Sequence, residues 1–270
     1  MNNPKAATLS ETADVRTVVR EKYGAIAEGQ TGTGCCGGSC ACNDVLPEIG
    51  YTDAQAAVLP EGANLGLGCG NPLAHAELKP GETVLDLGSG AGIDCFLAAR
   101  EVGPGGHVIG VDMTPAMIER ARGNSAKGDY AQVEFRLGEI EHLPVADASV
   151  DAIISNCVIN LSPDKPQVFR EALRALRPGG RLVVSDLVLL KPLPPALQKS
   201  VDLYVGCVAG ASLKDEYLGM MRAAGFADVA VVSETAYSVG ADSLPAGSPE
   251  REAFDAVVSV KVRARKPAAR

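Results

Sequence analysis

The chain has 270 residues, 46% of them hydrophobic, with 33 acidic against 25 basic side chains and a formal net charge of −8. That length buries a sizeable core in one large domain or one domain plus an appendage, and the acidic balance argues against a nucleic-acid surface. No apolar run approaches the roughly 20 residues of a membrane span, and residues 1–20 lack the apolar stretch of a secretory leader, so the expectation is a soluble, cytoplasmic protein without a membrane partner.

Residues 11–28 read as a helix, with Val15, Val18, Val19 and Ile26 on one face and Glu11, Asp14, Arg16, Arg20 and Lys22 on the other. The segment GTGCCGGSCAC, Gly32–Cys42, follows; it carries Cys35, Cys36, Cys40 and Cys42 and has neither helical nor strand periodicity. In a reducing compartment such a cluster points to metal binding or thiol chemistry, not to a disulfide scaffold. Its C-C-x3-C-x-C spacing departs from paired C-x2-C zinc hooks. Residues 53–59 predict a short helix before the turn Pro60-Glu61-Gly62, and LGLGCGNP, Leu65–Pro72, predicts irregular backbone.

From residue 80 the pattern becomes regular. Strands are expected at Thr83–Leu87, His107–Val111, Val133–Leu137, Val150–Ser155 and Arg181–Leu189. Helices are expected at Ile93–Glu101, at Pro115–Ala126 with Thr114 as its cap, and from Pro163 to Leu176, with Pro-Gly-Gly at 178–180 as a turn. Residues 191–225 read as mainly helical, two strands follow at Val229–Ser233 and Ala256–Val262, and the basic KVRARKPAAR, Lys261–Arg270, reads as a solvated terminus. Alternating β and α elements with near-continuous apolar strands predict an α/β fold with a doubly wound, mostly parallel seven-stranded sheet covered on both faces. The expected division is an N-terminal segment 1–77, a cofactor-binding core 78–190 and an acceptor-binding region 191–270.

The loop in VLDLGSGAG, Val84–Gly92, joins the first strand to the first core helix. Its glycines permit a sharp turn and close ligand approach, and the helix offers a partly positive N-terminus. Asp112, at the end of the second strand, is placed to accept both hydroxyls of a ribose. The spacing is G-x-G-x-G and not the G-x-G-x-x-G of a dinucleotide site. Asp86 inside the strand repels a pyrophosphate but suits a cationic, phosphate-free cofactor. With VIGVD, the segment Gly138–Pro144 and the later Pro-Gly-Gly, this core resembles the class I S-adenosylmethionine methyltransferases over about residues 78–190. In that family an acidic side chain and a backbone N–H of the third motif hold the adenine. The histidines His75, His107 and His142 read as structural or exposed, and Cys95, beside Phe96 and Leu97, reads as core.

An acceptor must approach the methyl group beyond the carboxyl ends of the strands. The fourth strand ends in SNCVINLS, which places Asn156 and Cys157 there in place of the Asn-Pro-Pro-aromatic edge of amide or ring N-methyltransferases. Cys207 lies in LYVGCVAGA and Cys69 in GLGCGNP. Converging thiols select a soft, electron-rich acceptor, and trivalent arsenic bound by three thiolates keeps a lone pair free to attack carbon. The segments LGLGCGNP, GSGAGIDCFLAA, IGVDMTP, ISNCVINLSPDK and GCVAGA resemble those of arsenite methyltransferases, over about residues 12–234.

That resemblance implies the following. Cys157 and Cys207 bind As(III), and Cys69 supplies a third thiol or a transient disulfide to Cys157. Cys35 and Cys36 are accessory thiols. Tyr23, Asp86, Gly88, Ser89, Gly90, Gly92, Asp112, Met113, Glu139, Ile140 and Asn156 contact S-adenosylmethionine. Arsenite and methylarsenite are the substrates, thioredoxin or glutathione resets oxidised thiols, and no metal cofactor is needed. Two other readings of the residues stay open: a methyltransferase acting on a quinone or sterol-like molecule, and a thiol-based metalloid-binding protein without turnover.

Overall fold

The computed structural model describes residues 14–30, 45–237, 247–248, 251 and 254–268. Helix α1 spans Val15–Ala27, capped by the Asp14 carboxylate on the Arg16 N–H, and the short helices α2 and α3 span Val45–Glu48 and Asp53–Ala56. The core then alternates β1 (Thr83–Leu87), α4 (Ile93–Val102), β2 (His107–Asp112), α5 (Pro115–Ser125), β3 (Val133–Leu137), β4 (Val150–Asn156), α6 (Lys165–Ala175) and β5 (Leu176–Leu189). Helices α7 (Pro195–Gln198), α8 (Val201–Val205) and α9 (Lys214–Ala224) precede β6 (Ala227–Ala236) and β7 (Val257–Arg265).

The seven strands form one sheet in the order β3-β2-β1-β4-β5-β7-β6. The first five run parallel, and β7 enters antiparallel between β5 and β6. Chain direction across the sheet reverses between β1 and β4. The crevice outside their carboxyl ends is where an open α/β sheet binds ligands.

Apolar residues on both faces of the parallel strands explain the two helical layers. Phe169 of α6 and Tyr217 and Met221 of α9 pack on one face with Ile153, Leu182 and Val184. Phe96 of α4, Ile118 of α5 and Leu46 pack on the other with Val84, Ile154 and Val183. A third cluster joins Val19 of α1 and Tyr204 of α8 to Leu187, Leu189, Cys69 and Cys207 at the carboxyl end of the sheet.

Several local expectations change. Pro-Gly-Gly 178–180 lies within β5 as a bulge, where register passes from Val150 opposite Leu176 to Ala152 opposite Arg181, with Gly179 at φ +80°. A glycine in left-handed backbone lets the chain add residues without leaving the sheet. Thr114 occupies the N-cap of α5, but its side chain makes no capping bond; Pro115 at the first helical position starts the helix. Lys261 is not part of a solvated tail: it lies in β7 and is 9% exposed. Among the described residues no helix is long and apolar enough to cross a membrane.

Candidate active site

Each glycine of the loop after β1 has a positive φ: +68° at Gly88, +51° at Gly90 and +98° at Gly92. A Cβ on Gly88 would stand 2.4 Å from the Val158 side chain, and one on Gly92 2.7 Å from Phe96. At Gly90 only the Met117 sulfur comes within 4.0 Å, so the space beside it is open. Gly90 faces a cavity, whereas Gly92 serves packing and the start of α4 and lies off the cavity wall.

Of the residues expected to hold the cofactor, Tyr23, Asp86, Gly88, Ser89, Gly90, Asp112, Met113, Ile140 and Asn156 line this cavity. Gly92 and Glu139 do not. Glu139 turns outward to α1, 3.6 Å from Arg16 and 3.7 Å from Arg20. Glu141 is the carboxylate of that segment on the wall; it is buried and accepts bonds from Ser162 Oγ at 2.5 Å and Arg16 Nη2 at 3.2 Å. The side chain that Gly138–Pro144 presents is set by the turn of the loop, and no periodicity in the sequence shows it.

The wall is acidic at its floor. Asp112 Oδ2 accepts the Gly90 N–H at 3.0 Å and Oδ1 the Thr114 N–H at 2.8 Å, which fixes the carboxylate at the rim of β2. Asp86 and Asp94 lie side by side within the fold. Burial pushes Asp86 well above the usual carboxylate range, and the charge of Asp94 adds to it. Burial raises Asp94 to about 6, against the hydrogen bonds of Tyr51 and Asn156. Such carboxylates exclude a phosphate and invite a cation.

Asp94 and Tyr51 were not singled out in the sequence. Tyr51 Oη donates to Asp94 Oδ1 at 2.7 Å. Asn156 Nδ2 lies 2.9 Å from Tyr51 Oη, 2.7 Å from the Gly70 carbonyl and 3.3 Å from Asp94 Oδ2, while its Oδ1 accepts the Cys69 N–H at 3.1 Å. Asn156 therefore ties the acidic floor to the glycine-rich loop that carries Cys69. The only sequence signal for Asp94 is an acid in the first turn of a helix.

The thiols sit where β4 ends. Cys157 and Cys207 both adopt left-handed backbone, φ +58° and +63°. Cys157 is half-buried, Cys69 and Cys207 are buried, and all three are free thiols. Cys207 Sγ donates to the Cys157 carbonyl at 2.9 Å, and Cys69 Sγ to the Ser185 carbonyl at 3.6 Å. The sulfurs of Cys69 and Cys157 and a carboxylate oxygen of Asp186 all lie within 4.8 Å of one another. Cys157 and Cys207 line the cavity, and Cys69 stands behind its wall. Hydrogen bonds that the Cys157 S–H donates to Cys207 and Cys69, then burial, push the Cys157 thiol well up, and burial raises Cys69. At rest Cys157 and Cys69 are therefore protonated.

Lys261 reaches under Cys69 from β7: its Nζ donates to Ser259 Oγ at 3.2 Å, and Ser259 Oγ donates to the Cys69 carbonyl at 2.7 Å. Cys95 is fully buried and donates to Asp86 Oδ2 at 3.2 Å. Burial and the Asp86 charge hold it well above the usual thiol range, so it is a packed core thiol. Cys35, Cys36, Cys40 and Cys42 lie outside the described residues.

A methyltransferase-domain profile matches residues 78–225, the glycine loop and both cavity thiols included. The arsenite methyltransferase of Halobacterium salinarum is 49% identical over 269 residues, covering 94% of this chain and 67% of that one. The chain belongs to the arsenite methyltransferase family. The family relative from Aquipseudomonas alcaligenes is 42% identical over 67% of this chain and 54% of its own length, so the chain spans about half to two thirds of these relatives. The crystal structure of the Chlamydomonas reinhardtii arsenic(III) S-adenosylmethionine methyltransferase superposes with a TM-score of 0.64 at 32% identity, over 85% of this chain and 74% of that one.

For an arsenite methyltransferase the cavity fits its cofactor: S-adenosylmethionine is cationic and carries no phosphate, and four carboxyl groups, those of Asp86, Asp94, Asp112 and Glu141, line the wall. A pH dependence follows. A cation binds better to an ionised Asp94 than to a neutral one. Affinity for S-adenosylmethionine should therefore hold above about pH 6 and weaken by up to about tenfold per unit below it, as Asp94 takes up its proton. Calorimetric titration across that range checks the sign, and an affinity flat down to pH 5 would refute it.

Proposed function

We propose that this protein transfers methyl groups from S-adenosylmethionine to trivalent arsenic held by its own thiols, turning arsenite and methylarsenite into more highly methylated arsenicals. The observation that carries this reading is the gathering of Cys69, Cys157 and Cys207, from three distant segments, beside a carboxylate-lined cavity at the carboxyl end of β4. Thiols select a thiophilic acceptor. A quinone or sterol acceptor would call for an apolar chamber and has no use for three sulfurs.

Thiols such as Cys157 and Cys69, held protonated by their surroundings, suit arsenous acid. Three S–H groups replace three As–OH groups and release three waters, so the buried site gains no charge. Cys157 and Cys207 are the primary ligands, and Cys69 is the third ligand or the disulfide partner of Cys157. S-adenosylmethionine, when bound, supplies an electrophilic methyl group on a cationic sulfur. Gly90 leaves room for it, Asp112 would take its ribose, and Asp86 and Asp94 its charged end. Met113 and Ile140 would flank its ring, near Glu141. Tyr23, whose hydroxyl donates to the Val205 carbonyl at 3.1 Å, pins α1 across the opening. The chain's contribution to rate is orientation of the arsenic lone pair toward the methyl carbon, with water excluded.

Methylation raises arsenic to the pentavalent state. Two thiols can return two electrons and close to a disulfide, which thioredoxin or glutathione in the cytoplasm would reopen. The test is incubation of the purified protein with methyl-labelled S-adenosylmethionine, arsenite and a thiol reductant, with arsenic speciation by chromatography. Labelled methylarsenicals are expected. Tight arsenite binding with no labelled product would overturn the assignment in favour of a binding protein.

A further inference from the structure

Asp186 belongs to neither the cofactor wall nor the thiol set, yet it is fully buried directly behind the thiols. One of its oxygens lies within 4.8 Å of the sulfurs of both Cys69 and Cys157. A buried carboxylate is costly unless it is well held. This one accepts from Asn160 Nδ2 at 2.8 Å, the Leu187 N–H at 2.9 Å and Tyr217 Oη at 3.0 Å. Burial raises its pKa to about 7 against those donors, so they fix its position and it is fully ionised above neutral pH. Lys165 is near enough to interact with both Asp186 and Cys207, and Lys261 interacts with Cys69, so two lysines stand at the acceptor end of the site, one of them facing this acid.

Charge in the proposed reaction moves; it is not created. The lone pair of thiol-bound As(III) forms the As–C bond. The bond from the methyl carbon to the donor sulfur breaks, and its electron pair stays on that sulfur. The donor ends as a neutral thioether, and arsenic ends as a four-coordinate centre carrying the positive charge. Lys165 and Lys261 oppose that arrival. We infer that Asp186 is the fixed anion that receives the charge, lowering the barrier to methyl transfer by electrostatic stabilisation and not by ligating arsenic. This rests on the arsenite methyltransferase reading above. A full charge at about 5 Å in a protein interior is worth roughly 10²-fold in rate.

The experiment compares wild type, Asp186→Asn, Lys165→Met and the double variant, well above neutral pH. Single-turnover methyl transfer is measured alongside calorimetric affinity for As(III) without cofactor. Asp186→Asn should lose about 10²-fold in the transfer rate and keep its As(III) affinity. Lys165→Met should transfer faster than wild type and restore part of the rate in the double variant, a charge effect that a purely structural role would not produce. A wild-type rate in Asp186→Asn would overturn the inference. So would weakened As(III) binding, which makes Asp186 a ligand, or failure of Lys165→Met to rescue. If wild type itself makes no methylarsenical, the functional reading fails and not the role of Asp186 within it.

Discussion

Cys157→Ser or Cys207→Ser should cut methyl transfer to As(III) by about 10³-fold or more while leaving S-adenosylmethionine affinity nearly unchanged. Serine keeps the volume and the hydrogen bond but replaces a soft ligand with a hard one. With one sulfur gone arsenic is held by at most two, and its lone pair is no longer aimed. Both thiols line the cavity but are not among the groups expected to hold the cofactor, so cofactor binding should be spared. Label incorporation into arsenic, measured beside calorimetric cofactor titration, separates the two effects. Retained turnover in both variants would remove the thiols from the chemistry. Both cysteines sit in left-handed backbone, where a serine fares no better than a cysteine, so a stability change should not confuse the result.

Arg181→Met is expected to give the largest loss of stability. The guanidinium is 8% exposed and forms a two-pronged bridge to Glu82, at 2.8 and 2.6 Å. It also donates to the carbonyls of Ala76 and, at 2.8 Å, Glu77. These bonds fasten the segment before β1 to β5. Burial raises the Glu82 pKa, but the Arg181 hydrogen bonds, the Lys79 N–H and the Arg181 charge together more than offset this and leave it below its usual value. Without Arg181, a carboxylate and two carbonyls remain poorly solvated, at a cost of about 3–5 kcal/mol. The melting temperature should fall by roughly 5–15 °C, and Glu82→Gln added to Arg181→Met should recover part of it. A drop under about 1 kcal/mol would mean that water replaces the guanidinium.

The parallel core was readable because its strands are apolar on both faces and its glycines have a steric reason to be where they are. Thr83–Leu87 and Val133–Leu137 are bounded as expected, and the other core strands differ at their ends, most of all β5, where a bulge replaces a turn. What could not be read is what depends on register in loops or on distant pairing. Two acids, Glu139 and Glu141, stand two apart in one turn and both meet Arg16 of α1, and only the fold decides which of them lines the cavity wall. Asp186 is one polar residue in SDLVL; nothing local says that it faces two thiols. Lys261 reads as one charge among several in a basic tail, because burial under Cys69 comes from β7 lying between β5 and β6. The left-handed turns at Cys157 and Cys207 also escape propensity, since cysteine has no preference for that backbone.

That insertion of β7 has a consequence for synthesis. Ser259 bonds the Cys69 carbonyl across 190 residues of chain, and β5 and β6 both pair through β7. Contacts this far apart in sequence form late. On a ribosome that has not yet released the last strand, the cysteines at 69, 157 and 207 already exist, but the frame that gathers them does not. The ability to hold arsenic should therefore arrive with completion of the fold, so that a nascent chain offers separate thiols where the finished protein offers a site.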